Sequence, residues 1–151
     1  MIPPDQKPAW KQLPEMANFM SSTANGPLWG RVVDGHLELG FRAERRHCNP
    51  RDVCHGGMLL TFADMLLGFC TSWSNPEVGF LPTINLAGDF IAPAPLGAWV
   101  SGGGEVLRVT RNMAFVQGML SADGTPCLRW NGTAKVVQGD RKFRIRDWLA
   151  L

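Results

Sequence analysis

The stretch 55–73, HGGMLLTFADMLLGFCTSW, limits the fold more than any other part of the chain. From Met58 to Cys70, ten of thirteen residues are apolar, and a helix apolar on nearly every side has to be buried. A membrane is the wrong medium for it. The run is short for a comfortable span, and Asp64 near its middle would place a carboxylate in hydrocarbon. The three exceptions, Thr61, Asp64 and Gly68, fall at i, i+3 and i+7, and Gly57 continues the stripe one turn earlier. One narrow face of the helix is therefore small or polar.

Around this helix the chain reads as strands. Leu28 to Val33 and His36 to Phe41 flank Asp34-Gly35, a dipeptide suited to the positive φ angles of a tight hairpin turn. After Ser74-Asn75-Pro76, the segment Thr83 to Ile91 alternates, which predicts a half-buried strand. Its expected faces are Ile84, Leu86 and Phe90 against Thr83, Asn85 and Asp89. Residues 92–97 form a turn, extended stretches follow near 98–110 and 113–122 with Thr110 to Asn112 between them, and Asp123-Gly124 marks a further hairpin. From Leu128 to Val136 the even positions are Leu, Trp, Gly, Ala and Val and the odd ones Arg, Asn, Thr and Lys, so this strand has one wet face. Trp10, Leu13, Met16, Phe19 and Met20 recur at the steps of a short amphipathic helix.

This order predicts an α+β domain in which one antiparallel sheet wraps a single long buried helix. A parallel α/β sheet would need repeated crossover helices, and the chain offers one. The expected division is an N-terminal arm and short helix over 1–27, the domain proper over 28–138, and a basic tail over 139–151. Composition agrees with a single ordinary globular unit: 151 residues, 45% hydrophobic, with a formal charge of +2. That balance gives no broad basic field to gather nucleic acid. The N-terminus has no apolar run of signal-peptide length, and the four cysteines include no CxxC pair, so reduced thiols, no metal and a cytoplasmic setting are expected.

The chemistry gathers at the start of the helix. His47 to Gly57 leads straight into it and ends in two glycines, which let a ligand approach free backbone amides; such an end suits an oxyanion or carbonyl oxygen. The glycines alone would equally serve a tight turn into the helix. Asp64 adds weight, because a lone carboxylate in an apolar helix is costly to desolvate and requires a specific partner; a neighbouring hydroxyl or backbone amide would be the purely structural one. Gly56 and Asp64 are eight residues apart, roughly 12 Å along a helix rising 1.5 Å per residue, so they cannot meet on one ligand carbon. If both act on one bond, they come from two subunits with antiparallel helices, and the stripe of Gly57, Thr61, Asp64 and Gly68 suits that contact. A two-fold dimer with two shared sites is expected.

Asn49, five intervening residues, His55-Gly56-Gly57 and then Asp64 within Thr-Phe-Ala-Asp together resemble the hotdog-fold acyl-CoA thioesterases of the phenylacetyl-CoA thioesterase branch. Thr83-Ile84-Asn85-Leu86, the Pro-Leu-Gly turn before Trp99, Arg108 to Phe115 and the Asp123-Gly124 hairpin follow the same order. The resemblance implies hydrolysis of an acyl-CoA thioester, with coenzyme A as part of the substrate and no separate cofactor, by a homodimer or homotetramer. It implies that the Gly56 amide polarises the carbonyl, Asp64 of the partner chain is general base or nucleophile, Asn49 orients water or carbonyl, and Thr83 helps to place the water. His55 is expected to support the turn. Gly57 and Thr61 fall on the substrate side, and Arg108 and Arg111 are candidates for the coenzyme phosphates, whereas the basic run 141–146 is expected to be solvated. One departure stands out: Asp52 occupies a place where that family commonly has glycine, which puts a negative charge near the mouth, although Asp tolerates left-handed backbone. Two other readings stay open, a non-catalytic acyl-CoA binding protein and a hotdog dehydratase or hydratase. A nucleophilic Cys48 or Cys54 is a lesser alternative.

Overall fold

Two Asp-Gly dipeptides set the first hairpin and the last. Asp34 and Gly35 have φ of 49° and 81°, Asp123 and Gly124 φ of 47° and 84°, the left-handed pair that a tight turn with right-twisting strands needs. The computed structural model describes residues 10–15, 25–138 and 145–149. In chain order these contain β1 (Lys11–Gln12), β2 (Trp29–Val33), β3 (His36–Arg42), a single 3-10 turn (Arg45–His47), α1 (Gly56–Ser74), β4 (Thr83–Phe90), β5 (Trp99–Val109), β6 (Met113–Ala122), β7 (Thr125–Lys135) and α2 (Ile145–Leu149). Among the described residues the strands form one sheet in the order β1-β2-β3-β5-β6-β7-β4, every pair antiparallel. The chain leaves β3, crosses the inner face of the sheet as α1, and returns as β4 at the far edge.

The alternation of each strand decides what meets the helix. Leu37, Leu39 and Phe41 of β3, Val100 of β5, Val116 and Leu120 of β6, and Leu128, Trp130 and Ala134 of β7 are all buried, as are Leu59, Phe62, Ala63, Leu66, Leu67 and Cys70 of α1. Phe41 and Phe62 meet edge to face, with ring centroids 4.9 Å apart. Burying each such large side chain contributes about 1.5–3 kcal/mol. The helix lies directly on the sheet at Gly132, where an added Cβ would land inside the side chain of Leu67 and 2.9 Å from the Asn85 carbonyl oxygen.

Four expectations need correction. Residues 10–15 are not helical: Lys11–Gln12 pair with β2, and Trp10 packs edge-on to Trp99 with centroids 5.2 Å apart. A short helix in water is marginal and Pro14 would interrupt it, whereas pairing satisfies backbone groups and buries Trp10 and Leu13; the remainder of that expected helix, residues 16–24, lies outside the described residues. Second, β4 is a sheet edge and is more exposed than a half-buried strand: Ile84 is 57% exposed and Phe90 54%. Third, a bulge breaks its alternation. Thr83 pairs with Ala134 and Asn85 with Thr133, so Ile84 is an extra residue and Thr83 shares the helix-facing side with Leu86 and Phe90. The basic tail also docks in part: Ile145 is buried, and Arg146 donates from Nε (3.0 Å) and Nη2 (2.8 Å) to the carbonyl of Trp73 near the end of α1.

Candidate functional site

The loop that precedes α1 is held by its own polar groups. The Asn49 and Val53 backbones pair (2.8 Å), as do His55 and His47 (2.8 Å), making a small antiparallel bridge at Cys48 and Cys54. Asn49 Oδ1 accepts from the amides of Arg51 (2.9 Å) and Val53 (3.4 Å). Because both donors are amides, the atom facing them is the oxygen, and Nδ2 is the group left for a ligand. Asn49 can thus donate to a carbonyl, whereas the oxygen that would accept from water is already engaged. Asp52 has φ +57°, which explains how the chain dispenses with glycine at that turn, and its carboxylate pairs with Arg45, so its charge does not face the mouth unpaired. His47 is structural: Nδ1 accepts from the Glu44 amide (2.9 Å) and Nε2 meets the Asn25 carbonyl at 2.8 Å.

His55 caps the helix. Its Nδ1 accepts from Gly57 N at 3.0 Å, so the remaining ring proton sits on Nε2, and a base role for the engaged nitrogen is closed; a hydratase that needed it would lack it. With Gly57 N occupied, Gly56 N–H is the amide at this helix end that has no partner among the described residues. Gly56 lines a cavity of about 360 Å³ together with Asn49, Val53, Cys54, Leu59 and the segment Phe90 to Ala94. Thr61 Oγ1 turns back to the Gly57 carbonyl at 2.8 Å.

Two turns further along α1, Asp64 corrects the expectation of a desolvated carboxylate: it is exposed on the small polar stripe, which faces away from the sheet, and it accepts a hydrogen bond from Thr83 Oγ1 at 2.6 Å. The bulge in β4 makes this contact: simple alternation would have turned Thr83 away from the helix. One chain therefore brings together Asn49, Gly56 and His55 at one end of α1 and Asp64 with Thr83 further along, while Asp64 does not line the Gly56 cavity. Arg108 and Arg111 are exposed and line no part of that cavity either. Among the described residues no group of His, Cys, Asp and Glu could hold a metal, and no helix is long and apolar enough to cross a membrane. Burial pushes the Cys54 thiol up to about 12, and burial also raises Cys48 against the opposing pull of Arg45, so neither is an activated nucleophile. Phe90 is the residue that sequence reasoning missed. Alternation puts it on one face with Leu86, and it stands there half-exposed with its ring against Gly56; an aromatic at a strand end carries no signal of that.

An antiparallel sheet folded around one long central helix, with a helix N-terminus and a helix-borne carboxylate as its polar features, is the hotdog arrangement. The sequence pattern of the thioesterase superfamily matches residues 52–127, and the chain belongs to that superfamily. A Pseudomonas aeruginosa protein described as a "Putative esterase" is 32% identical over 96 residues, 63% of this chain and 72% of that one. The structure of a phenylacetic acid degradation-related protein from Ralstonia eutropha JMP134 superposes with a TM-score of 0.64 at 30% identity, over 71% of this chain and 83% of the other. A Bacillus halodurans protein solved with CoA superposes with a TM-score of 0.66 at 19% identity, over 73% and 74%; at that identity the likeness is one of fold.

Proposed function

We propose that this protein hydrolyses acyl-CoA thioesters at two sites shared across a two-fold dimer. The observation that carries the reading is the division of the polar groups along one helix and one strand: Gly56 lies against Phe90 at the end of β4, and Asp64 is bonded to Thr83 at its start. β4 is the edge of the sheet, and free edges invite pairing. Antiparallel pairing of two β4 edges about an axis between Leu86 and Ala87 brings Phe90 of one chain beside the partner subunit's Thr83. Each Gly56 amide then faces the partner subunit's Asp64, which is what a single chain cannot arrange. Membership of the thioesterase superfamily and the CoA held by a protein of the same fold support the substrate class.

In this reading the thioester carbonyl oxygen accepts from Gly56 N–H and Asn49 Nδ2, donors already in place where negative charge develops. Thr83 occupies Oδ1 of Asp64 and leaves Oδ2 to take the proton of a water that attacks the carbonyl carbon, or to attack that carbon itself. After attack by water the tetrahedral intermediate expels the CoA thiolate, which takes the proton held by Asp64, and the free acid remains; after attack by Oδ2 it expels the thiolate and leaves an acyl–Asp64 anhydride, which a water hydrolyses to the acid, restoring the carboxylate and supplying the thiol proton. Gly57 and Thr61, on the same stripe of α1 as Asp64, are assigned to the substrate side, and Arg108 and Arg111 to the coenzyme phosphates. The test measures thiol release from a panel of aryl- and alkyl-CoA esters by native protein and Asp64→Asn, with binding of each ester followed in parallel. Turnover that collapses by about 10³-fold or more in the variant while binding persists is expected of a lost base or nucleophile. Binding without thiol release in either protein would make this a non-catalytic acyl-CoA binding protein, and no binding would overturn the reading.

A further inference from the structure

We propose that Phe90 selects the acyl group at the Gly56 amide and excludes chains branched at the carbon next to the thioester carbonyl. The proposal rests on the thioester-binding reading above and adds a substrate class to it. A Cβ placed on Gly56 would lie 2.9 Å from Cζ of Phe90 and 3.0 Å from Cε1. The tip of the ring, not its face, therefore presses on the residue whose N–H is free. Phe90 and Gly56 are walls of one cavity. Among its other walls Cys54, Leu59 and Ala94 are buried and Pro93 has a fixed φ. Phe90 is 54% exposed, as is its neighbour Ile91.

The consequence is one of distance. A carbonyl oxygen accepting from Gly56 lies about 2.9 Å from the nitrogen and its carbon about 1.2 Å beyond, which brings the first carbon of the acyl chain into the cavity that Phe90 and Gly56 wall together. A methylene passes. A second substituent on that carbon needs volume that Cζ and Cε1 already fill. The lining offers Asn49 Nδ2 and Gly56 N–H as donors, and Val53, Leu59, Ile91, Ala92 and Pro93 present hydrocarbon, so the favoured group is an apolar acyl chain with an unbranched first carbon, butyryl rather than isobutyryl. One methyl at a tight wall is worth about 10–200-fold.

The experiment measures kcat/KM for butyryl-CoA and isobutyryl-CoA in native protein and Phe90→Ala, and the affinity of both esters for the same proteins carrying Asp64→Asn. The native ratio is expected to favour butyryl by about tenfold or more and to fall within about threefold in Phe90→Ala. A general loss of packing would lower both rates and leave the ratio unmoved. No native preference, or a ratio that Phe90→Ala leaves intact, overturns the proposal. If Phe90→Ala fails to fold, Phe90→Leu replaces it under the same criterion, because it removes the ring tip and keeps most of the volume. A Phe90-dependent preference in binding without thiol release would overturn hydrolysis and sustain the role of Phe90, whereas a protein that binds neither ester overturns both.

Discussion

In the proposed reading Asn49 does two jobs with two atoms, and two substitutions separate them. Its Oδ1 holds the loop through the amides of Arg51 at 2.9 Å and Val53 at 3.4 Å, while Nδ2 is the donor left for the carbonyl oxygen. Asn49→Ala removes both. One good and one long hydrogen bond at about 0.5–1.5 kcal/mol each give a loss of about 1–2 kcal/mol, or about 2–8 °C in Tm for a chain of this length. Asn49→Asp keeps the acceptor, strengthens it with charge, and loses only the donor. Its expected stability is native or slightly higher, whereas its rate falls by about 10²–10³, the usual cost of one missing oxyanion donor, with a further loss from a negative charge beside a developing oxyanion. The assay pairs thermal unfolding with thiol release for both variants. Asn49→Asp melting as low as Asn49→Ala would show that Oδ1 does not hold the loop, and a rate for Asn49→Asp within about threefold of native would show that Nδ2 does not serve the carbonyl.

Gly132→Ala should cost about 1–3 kcal/mol by overpacking, since its Cβ would collide with Leu67; an unchanged urea midpoint would mean that α1 can lift off the sheet freely. Burial pushes the thiols of Cys54 and Cys70 up to about 12 from 9.0. Between those values the unfolded chain releases protons that the fold retains, so stability is full below about pH 9 and declines as pH rises toward about 12. Denaturant titrations across that window check the sign, and a midpoint that rises instead would contradict it. Arg146→Ala loses both hydrogen bonds to the Trp73 carbonyl and a guanidinium 4.7 Å from the Trp73 ring centroid, for an expected loss of about 1–2 kcal/mol. Arg146→Lys should recover less than half of it in a thermal melt, because one ammonium cannot reproduce the two-pronged contact.

Much of this molecule was decided locally and could be read from residues. The Asp34-Gly35 and Asp123-Gly124 turns and the one wet face of β7 each follow from the backbone preferences or polarity of a few neighbouring residues, and the structure has them where the pattern put them; the helix over the Met58–Cys70 run is there too, but it buries only the face that meets the sheet and leaves Met58, Leu60, Met65 and Phe69 partly exposed. His55-Gly56-Gly57 and Asp64 stand out in the sequence as a glycine-rich helix entry and a lone carboxylate among apolar residues, whereas Asn49 stands out only through the family resemblance. What a chain cannot express locally is which strand becomes an edge and where a ladder slips by one residue. The exposure of β4 follows from the sheet order, and the bulge at Ile84 arises only where β4 must fit β7. That slip turns Thr83 toward Asp64, and the far end of the same strand sets Phe90 on Gly56. Trp10 illustrates the same limit: its spacing suits a helix, but the backbone hydrogen bonds offered by β2 and the ring of Trp99, neither adjacent in sequence, outweigh a helix too short to be stable alone. Sequence determined the turns, the helix and the polar groups at its start; pairing between distant strands decided which of those groups face one another, because side-chain direction in a sheet depends on register, and register is a property of two strands.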